Sequence, residues 1–181
     1  MITDNNRIWI ETAYDAFAQQ GPNGLKIESI ARVICKSKSS FYHHFADLEL
    51  FTDVLLGYHL DRAKNIALRM QRCDRMDPDM LELLVDVKTD ILFHRQLRIH
   101  RNVQIFRQCF EKAHAPIEEA LLGVWSKALD LGGRERLARI MLNLAVENFY
   151  LRVTAESLSR EWLLHYISEI RAMVAAMSSE G

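Results

Sequence analysis

The densest run of hydrogen-bonding side chains in this sequence is Ser37 to Phe45, SKSSFYHHF. Ser37, Ser39 and Ser40 carry hydroxyls that both donate and accept, and Lys38 carries a fixed charge. Tyr42, His43 and His44 add polar tips on flat rings, while Phe41 and Phe45 are purely apolar. Such a set can recognise polar edges and phosphates without making or breaking bonds. Catalytic chemistry asks for more. The serines, histidines and aspartates of this chain lack a nucleophile elbow or a glycine-rich turn. His94, His100 and His114 are spaced so that no single helical face gathers them, and no carboxylate motif completes a metal site. Cys35, Cys73 and Cys109 are scattered, with neither a disulfide framework nor a zinc spacing. The expectation is a chain without catalytic residues, metal or cofactor, and therefore not an enzyme.

Charge points the same way, but only locally. The 181 residues carry a net charge of −1, so the whole-chain field does not announce a polyanionic partner. Between Lys26 and Phe45, however, Lys26, Arg32, Lys36 and Lys38 face Glu28 alone. No run of eighteen apolar residues exists to span a membrane. The start, MITDNNRIWIETAY, lacks the basic and apolar regions of a signal peptide. A cytoplasmic protein is expected.

The elements that must position the polar run are helices. Three prolines and seven glycines fall between segments of helical periodicity, which predicts an all-α fold of about nine helices. Trp9, Ala13, Ala16 and Phe17 form one stripe that ends near Gly21. Ile27, Ile30, Ala31 and Ile34 form a second, on a short helix broken at Cys35-Lys36. Asp47 is placed to cap a long helix from Leu48 to about Arg72. Asp77-Pro78 opens a helix carrying Leu81, Leu84, Val85, Ile91 and Leu92. One more is expected from about Ile99 to Lys112, and another from Pro116 to Gly132-Gly133. Two long helices, about Arg134 to Ala155 and Ser159 to Met177, close the chain.

A short helix, a tight break and a second short helix have the proportions of a helix-turn-helix. Ser37 can cap the second of these by accepting a backbone N–H bond. Lys38, Ser39 and Ser40 then occupy its first turn, where side chains of this motif approach base edges. Tyr42, His43 and His44 follow, placed to reach phosphates or a thymine methyl, so positioning and readout fall to different groups. Phe41 and Phe45, four apart, anchor the segment in a core.

In these features residues 7–57 resemble the DNA-binding domain of the TetR/AcrR family of bacterial transcriptional regulators. The segments AYDAFAQQG, IESIARVICKSKSSFYHHF and LELF stand in that family's order and spacing. Ile30-Ala31 and Phe41-Tyr42-His43-His44-Phe45 match its most specific part. Three positions depart from it. Cys35-Lys36 replaces the usual glycine and small apolar residue of the turn, which predicts an altered or strained turn. Lys26 stands where a capping threonine is common and offers a cation to a phosphate. Leu48 stands where a lysine is usual, and Lys36 supplies a nearby positive charge.

The resemblance implies a reader domain over 1–47 and a helical sensing and pairing domain over 48–181. It implies a homodimer that binds a palindromic DNA operator, acts as a repressor and is released by a small apolar or aromatic molecule. A two-fold dimer places its recognition helices one DNA turn apart, on the order of 34 Å. The last helix spaces Leu163, Ile167, Ile170, Val174 and Met177 as a heptad-like seam, which must be covered by a second subunit or by the chain's own core. Tyr58, Phe93, His94, Phe106, Phe110, Trp125, Met141 and Phe149 are candidates to line a cavity among the middle helices, or else are simply core. The helix from Leu48 is the expected lever between reader and sensor. The rival expectation is a helical interaction protein that has lost operator binding.

Overall fold

The computed structural model describes residues 4–179, with side chains from 6 to 176. Among the described residues there is no strand, and nine α-helices follow one another: α1 (Asp4–Gln20), α2 (Ile27–Val33), α3 (Lys38–Tyr42), α4 (Leu48–Met70), α5 (Leu81–Asp86), α6 (Lys88–Ile99), α7 (Gln104–Ala128), α8 (Glu135–Arg152) and α9 (Arg160–Ser179). No helix among them is long and apolar enough to cross a membrane. The chain divides into two compact units.

The first unit holds the chain up to Ala63 together with Thr89–His114. Its core is aromatic. Trp9 on α1 meets Phe41 edge-on at 5.5 Å, and Phe41 and Phe45 both pack on Phe51 of α4, at 5.1 and 4.7 Å. Phe17 continues the cluster towards Phe93 and Phe106. Trp9, Phe17, Phe41, Phe51 and Phe93 are all fully buried, each worth roughly 1.5–3 kcal/mol of transfer free energy relative to exposure.

A single 3₁₀ turn, Gly21–Gly24, joins α1 to α2. Gly24 is obligatory there, because a Cβ would stand 2.3 Å from the carbonyl oxygen of Ala16. The turn between α2 and α3 ends with Cys35 at φ 54°. The N–H of Lys36 bonds to the carbonyl of Ala31 at 2.9 Å, and that of Cys35 to the carbonyl of Arg32 at 3.3 Å. This is the Schellman arrangement, with cysteine at the left-handed position that glycine normally fills.

The second unit holds Lys64–Lys88 and the chain from Ala115 onward. Here α5 packs on α9, and Arg160 at the start of α9 reaches Asp77 at 2.6 Å. Tyr166 donates to the carbonyl of Ala145 at 2.5 Å, and Arg171 Nε to that of Ala128 at 2.7 Å. These bonds tie α9 to α8 and to the end of α7.

Three expected helix boundaries are corrected. The helix expected to start at Asp77-Pro78 is broken at Val87 (φ −95°, ψ 27°), giving the short α5 and then α6. Pro116 does not begin a helix but lies inside the 25-residue α7. A proline there forfeits one ladder bond, and the buried Ala113, Ala120, Leu122, Val124 and Trp125 on either side hold the helix together. That helix also stops before Gly132-Gly133. Asp130 takes the left-handed position (φ 53°), and Leu131 N–H bonds to the carbonyl of Ser126 at 2.9 Å.

Candidate nucleic-acid interface

The polar run sits on a platform set by its two phenylalanines. Phe41 and Phe45 are 0 and 3 % exposed, whereas Ser37, Lys38, Ser39, Tyr42, His43 and His44 are exposed and Ser40 is half-buried. Ser37 caps α3: its Oγ accepts from the N–H of Ser40 at 3.2 Å and lies 2.9 Å from the Ser39 hydroxyl. Tyr42 is the last residue of α3, so His43 and His44 lie just beyond its end. Asp47 caps α4 by accepting from Leu50 N–H at 2.8 Å. Lys26 precedes α2 without a side-chain cap, and its side chain is exposed.

One pairing inside the run bears directly on charge. Lys38 Nζ lies 2.5 Å from Glu28 Oε1, bridging α3 to α2. The carboxylate raises the lysine's pKa and the ammonium lowers the glutamate's, so both stay charged. A phosphate approaching Lys38 must compete with Glu28. Lys36 remains exposed in the turn.

Behind this surface, the first unit buries a polar chain. Arg62 on α4 grips Asp90 on α6 through two bonds, at 2.5 and 2.7 Å. The Tyr14 hydroxyl donates to Asp90 Oδ1 at 2.8 Å and stands 2.7 Å from His59 Nδ1. His59 Nε2 lies 3.2 Å from His94 Nδ1. Because a carboxylate only accepts, the proton directions follow. Tyr14 gives its proton to Asp90, His59 Nδ1–H donates to Tyr14, and His94 Nδ1–H donates to His59. Burial drives the His59 pKa down to about 4 and that of His94 well down as well, and burial raises the Tyr14 phenol. Both rings are therefore neutral at pH 7.

The signal for this chain of bonds is present in the sequence. His59 lies on the α4 stripe of Phe51, Leu55, Ala63 and Met70, all buried, and a polar residue inside an apolar stripe needs a partner. Composition and spacing single out Tyr58 and His94 but pass over Tyr14, His59, Arg62 and Asp90.

The candidate cavity residues separate. Tyr58, Phe93, His94, Phe106 and Phe110 belong to the first unit; Trp125, Met141 and Phe149 belong to the second. Phe93 stacks on Tyr14 at 4.3 Å and on His59 at 4.5 Å, and His94 stacks on Phe110 at 4.4 Å. Tyr58 meets Tyr14 edge-on at 5.4 Å. In the second unit Phe149 contacts Trp162 and Tyr166. Trp125 is 3 % exposed, and its indole N–H is buried without a hydrogen-bond partner among the described residues.

Four of the five seam residues expected on α9 have described side chains. Leu163, Ile167, Ile170 and Val174 are 1 to 8 % exposed within the single chain, so the subunit's own core covers them. The side chain of Met177 lies outside those described. Heptad spacing shows that a face is covered, not by which chain. The outward apolar stripe is instead on α8: Leu137, Ile140, Leu144 and Leu151 recur at steps of three, four and seven, with Leu144 61 % and Leu151 72 % exposed.

No family model matches the sequence, and neither does any curated protein. Solved structures do match. One is a protein from Rhodococcus sp. assigned to the TetR family of transcriptional regulators, with 20 % identity, a TM-score of 0.59 and coverage of 96 % of this chain and 98 % of that one. A transcriptional regulator of the TerR/AcrR family from Aquifex aeolicus VF5 matches with a TM-score of 0.62 at 16 % identity, covering 96 and 99 %. A protein from Mesorhizobium loti MAFF303099, also assigned to the TetR family of regulators, gives 0.57 at 16 %, covering 96 % of both chains. The likeness is one of fold, and it extends over nearly the whole chain. This chain has the all-helical fold of TetR/AcrR-type regulators, a helix-turn-helix followed by a larger helical part.

Proposed function

We propose that the chain is a DNA-binding transcriptional regulator, a homodimer that represses from a palindromic operator and lets go when a small molecule binds. The observation that carries this reading is the exposed polar run from Ser37 to His44, capped at Ser37 and held rigid from beneath by buried Phe41 and Phe45. A surface that is fixed, polar and locally basic suits the major groove, where donors and acceptors encode sequence. In this reading a second copy covers the exposed α8 stripe, alongside the α9 face of Leu163, Ile167, Ile170, Val174 and Met177. The division at 1–47 and 48–181 remains the functional one in this reading, with α4 carrying motion from sensor to reader.

The effector is an apolar or aromatic molecule. Trp125, with its unsatisfied indole N–H, favours one that also bears a hydrogen-bond acceptor, since leaving such a donor buried and unpaired costs about 1–3 kcal/mol. A few kcal/mol of differential binding suffices to shift an equilibrium between two spacings of the recognition helices.

The test is selection of bound fragments from genomic DNA with the purified protein. A recovered palindrome carries the reading, and failure to enrich any sequence sinks it. The double substitution Lys38→Ala with Tyr42→Phe should abolish the enrichment while the dimer persists. Glu28→Gln should tighten binding by releasing Lys38. A helical interaction protein without operator binding would show no steep loss of DNA affinity as salt rises.

A further inference from the structure

Charge on the reader falls short of what a duplex demands. Among residues 4–47 five cations, Arg7, Lys26, Arg32, Lys36 and Lys38, are matched by five acids. Arg7 bonds to Glu11 at 2.8 Å and Lys38 to Glu28. B-DNA presents a negative charge about every 1.7 Å along its axis, and a reader of zero net charge gains little from that field.

A compensating surface lies in the same compact unit. From Ile91 to Phe110 there are four arginines, Arg95, Arg98, Arg101 and Arg107, and no acid. This segment is the end of α6, the turn after it and the start of α7. Arg101 and Arg107 are exposed, and neither forms an ion pair among the described residues. The turn is ordered by backbone bonds from Val103 to His100 and from Arg107 to Val103, at 3.0 and 3.1 Å. His100 Nδ1 donates to the carbonyl of Gln96 at 3.0 Å, which fixes the ring.

That ring is pressed against the reader. A Cβ placed on Gly21 would stand 2.7 Å from His100 Cε1 and 2.8 Å from Gln96 Oε1. Gly21 opens the 3₁₀ turn that leads to Lys26 and the N-terminus of α2. The arginine-rich turn therefore abuts the edge of the helix-turn-helix that leads into α2.

We propose that the α6–α7 turn is a second DNA-contacting surface, with Arg101 and Arg107 clasping backbone phosphates that flank the sequence read by α3. The inference rests on the DNA-binding reading above. Phosphate clasps of this kind add affinity and set register but carry no sequence preference. Ile99 and Val103, both exposed, lie among the arginines and can pack against sugars. An anionic lipid surface would also meet arginines interleaved with aliphatic residues, but contact with the reader's edge favours DNA.

The test uses the full chain, wild type against Arg101→Ala with Arg107→Ala, both substitutions at exposed positions and checked for unchanged helix content by circular dichroism. Binding to a mixed-sequence duplex is followed by fluorescence anisotropy as potassium chloride is raised. The slope of log affinity against log salt should fall by about 0.9 for each phosphate that the variant no longer neutralises, while the sequence selected by the variant stays that of wild type. An unchanged slope and affinity, with wild type and duplex bound, overturns the second surface and leaves the reading of α3 intact. A wild type that binds no duplex at low salt overturns both. If phosphatidylglycerol vesicles capture wild type but not the variant while the DNA slopes coincide, the surface belongs to lipid and the proposal fails.

Discussion

The hydroxyl of Tyr14 on α1 and the imidazole of His59 on α4 meet at 2.7 Å, and both groups are buried. This bond, with the Tyr14–Asp90 bond at 2.8 Å, fastens the first helix to α4 and α6. Tyr14→Phe keeps the ring stacked on Phe93 but deprives Asp90 of a donor and His59 of an acceptor. The expected loss is about 1–3 kcal/mol of stability, read from urea unfolding monitored by circular dichroism. A larger loss for Phe93→Ala, about 3–5 kcal/mol, would separate packing from hydrogen bonding at the same place.

Acid should weaken the protein through the same group. An imidazole in the unfolded chain titrates near 6.5, whereas burial holds folded His59 at about 4. Between those values the unfolded state binds the extra proton, so stability falls as pH falls. The contribution is intact above about pH 6.5 and fully lost below about pH 4, amounting to about 3 kcal/mol. Urea midpoints measured across that window should slope steeply for wild type and less so for His59→Gln.

Cys35 holds a left-handed backbone (φ 54°) that costs a non-glycine residue roughly 1–2 kcal/mol. Cys35→Gly relieves that strain and restores chain entropy to the unfolded state, which opposes it by about 0.5–1 kcal/mol. The net expectation is a gain of up to about 1 kcal/mol, measured by thermal unfolding. Cys35→Val should lose stability, because β-branching suits this region worst.

The helix-turn-helix is the most legible part of the chain because its determinants are local. Ser37 and Asp47 cap the helices they precede, the Lys26 cap is absent, and Cys35 takes a strained left-handed position in place of a glycine. The two caps span three positions, and the bonds of the turn three and five. What escapes sequence reading depends on distant partners. The helix end at Val87 carries no glycine or proline to mark it, and the helix through Pro116 is sustained by buried neighbours on both sides. Asp90 and His59 acquire meaning only once Tyr14 and Arg62 are brought beside them. Leu163, Ile167, Ile170 and Val174 of the α9 stripe are buried within the chain, which their heptad period alone does not specify.

Pairing of subunits should depend on α8. Leu144→Glu with Leu151→Glu places charges on the most exposed apolar positions of its stripe, and like charges meeting across a two-fold axis repel. Sedimentation velocity should report a single subunit for this variant and two for wild type. Two-subunit particles in the variant would rule the stripe out as the contact.

Shelter of Leu163, Ile167, Ile170 and Val174 inside one chain makes acquiring shape and acquiring a companion distinct events. A freshly synthesised copy can complete its interior alone and await an encounter as a finished body. The pairing proposed for it then depends on abundance, by mass action, and not on rescue of an unfinished interior.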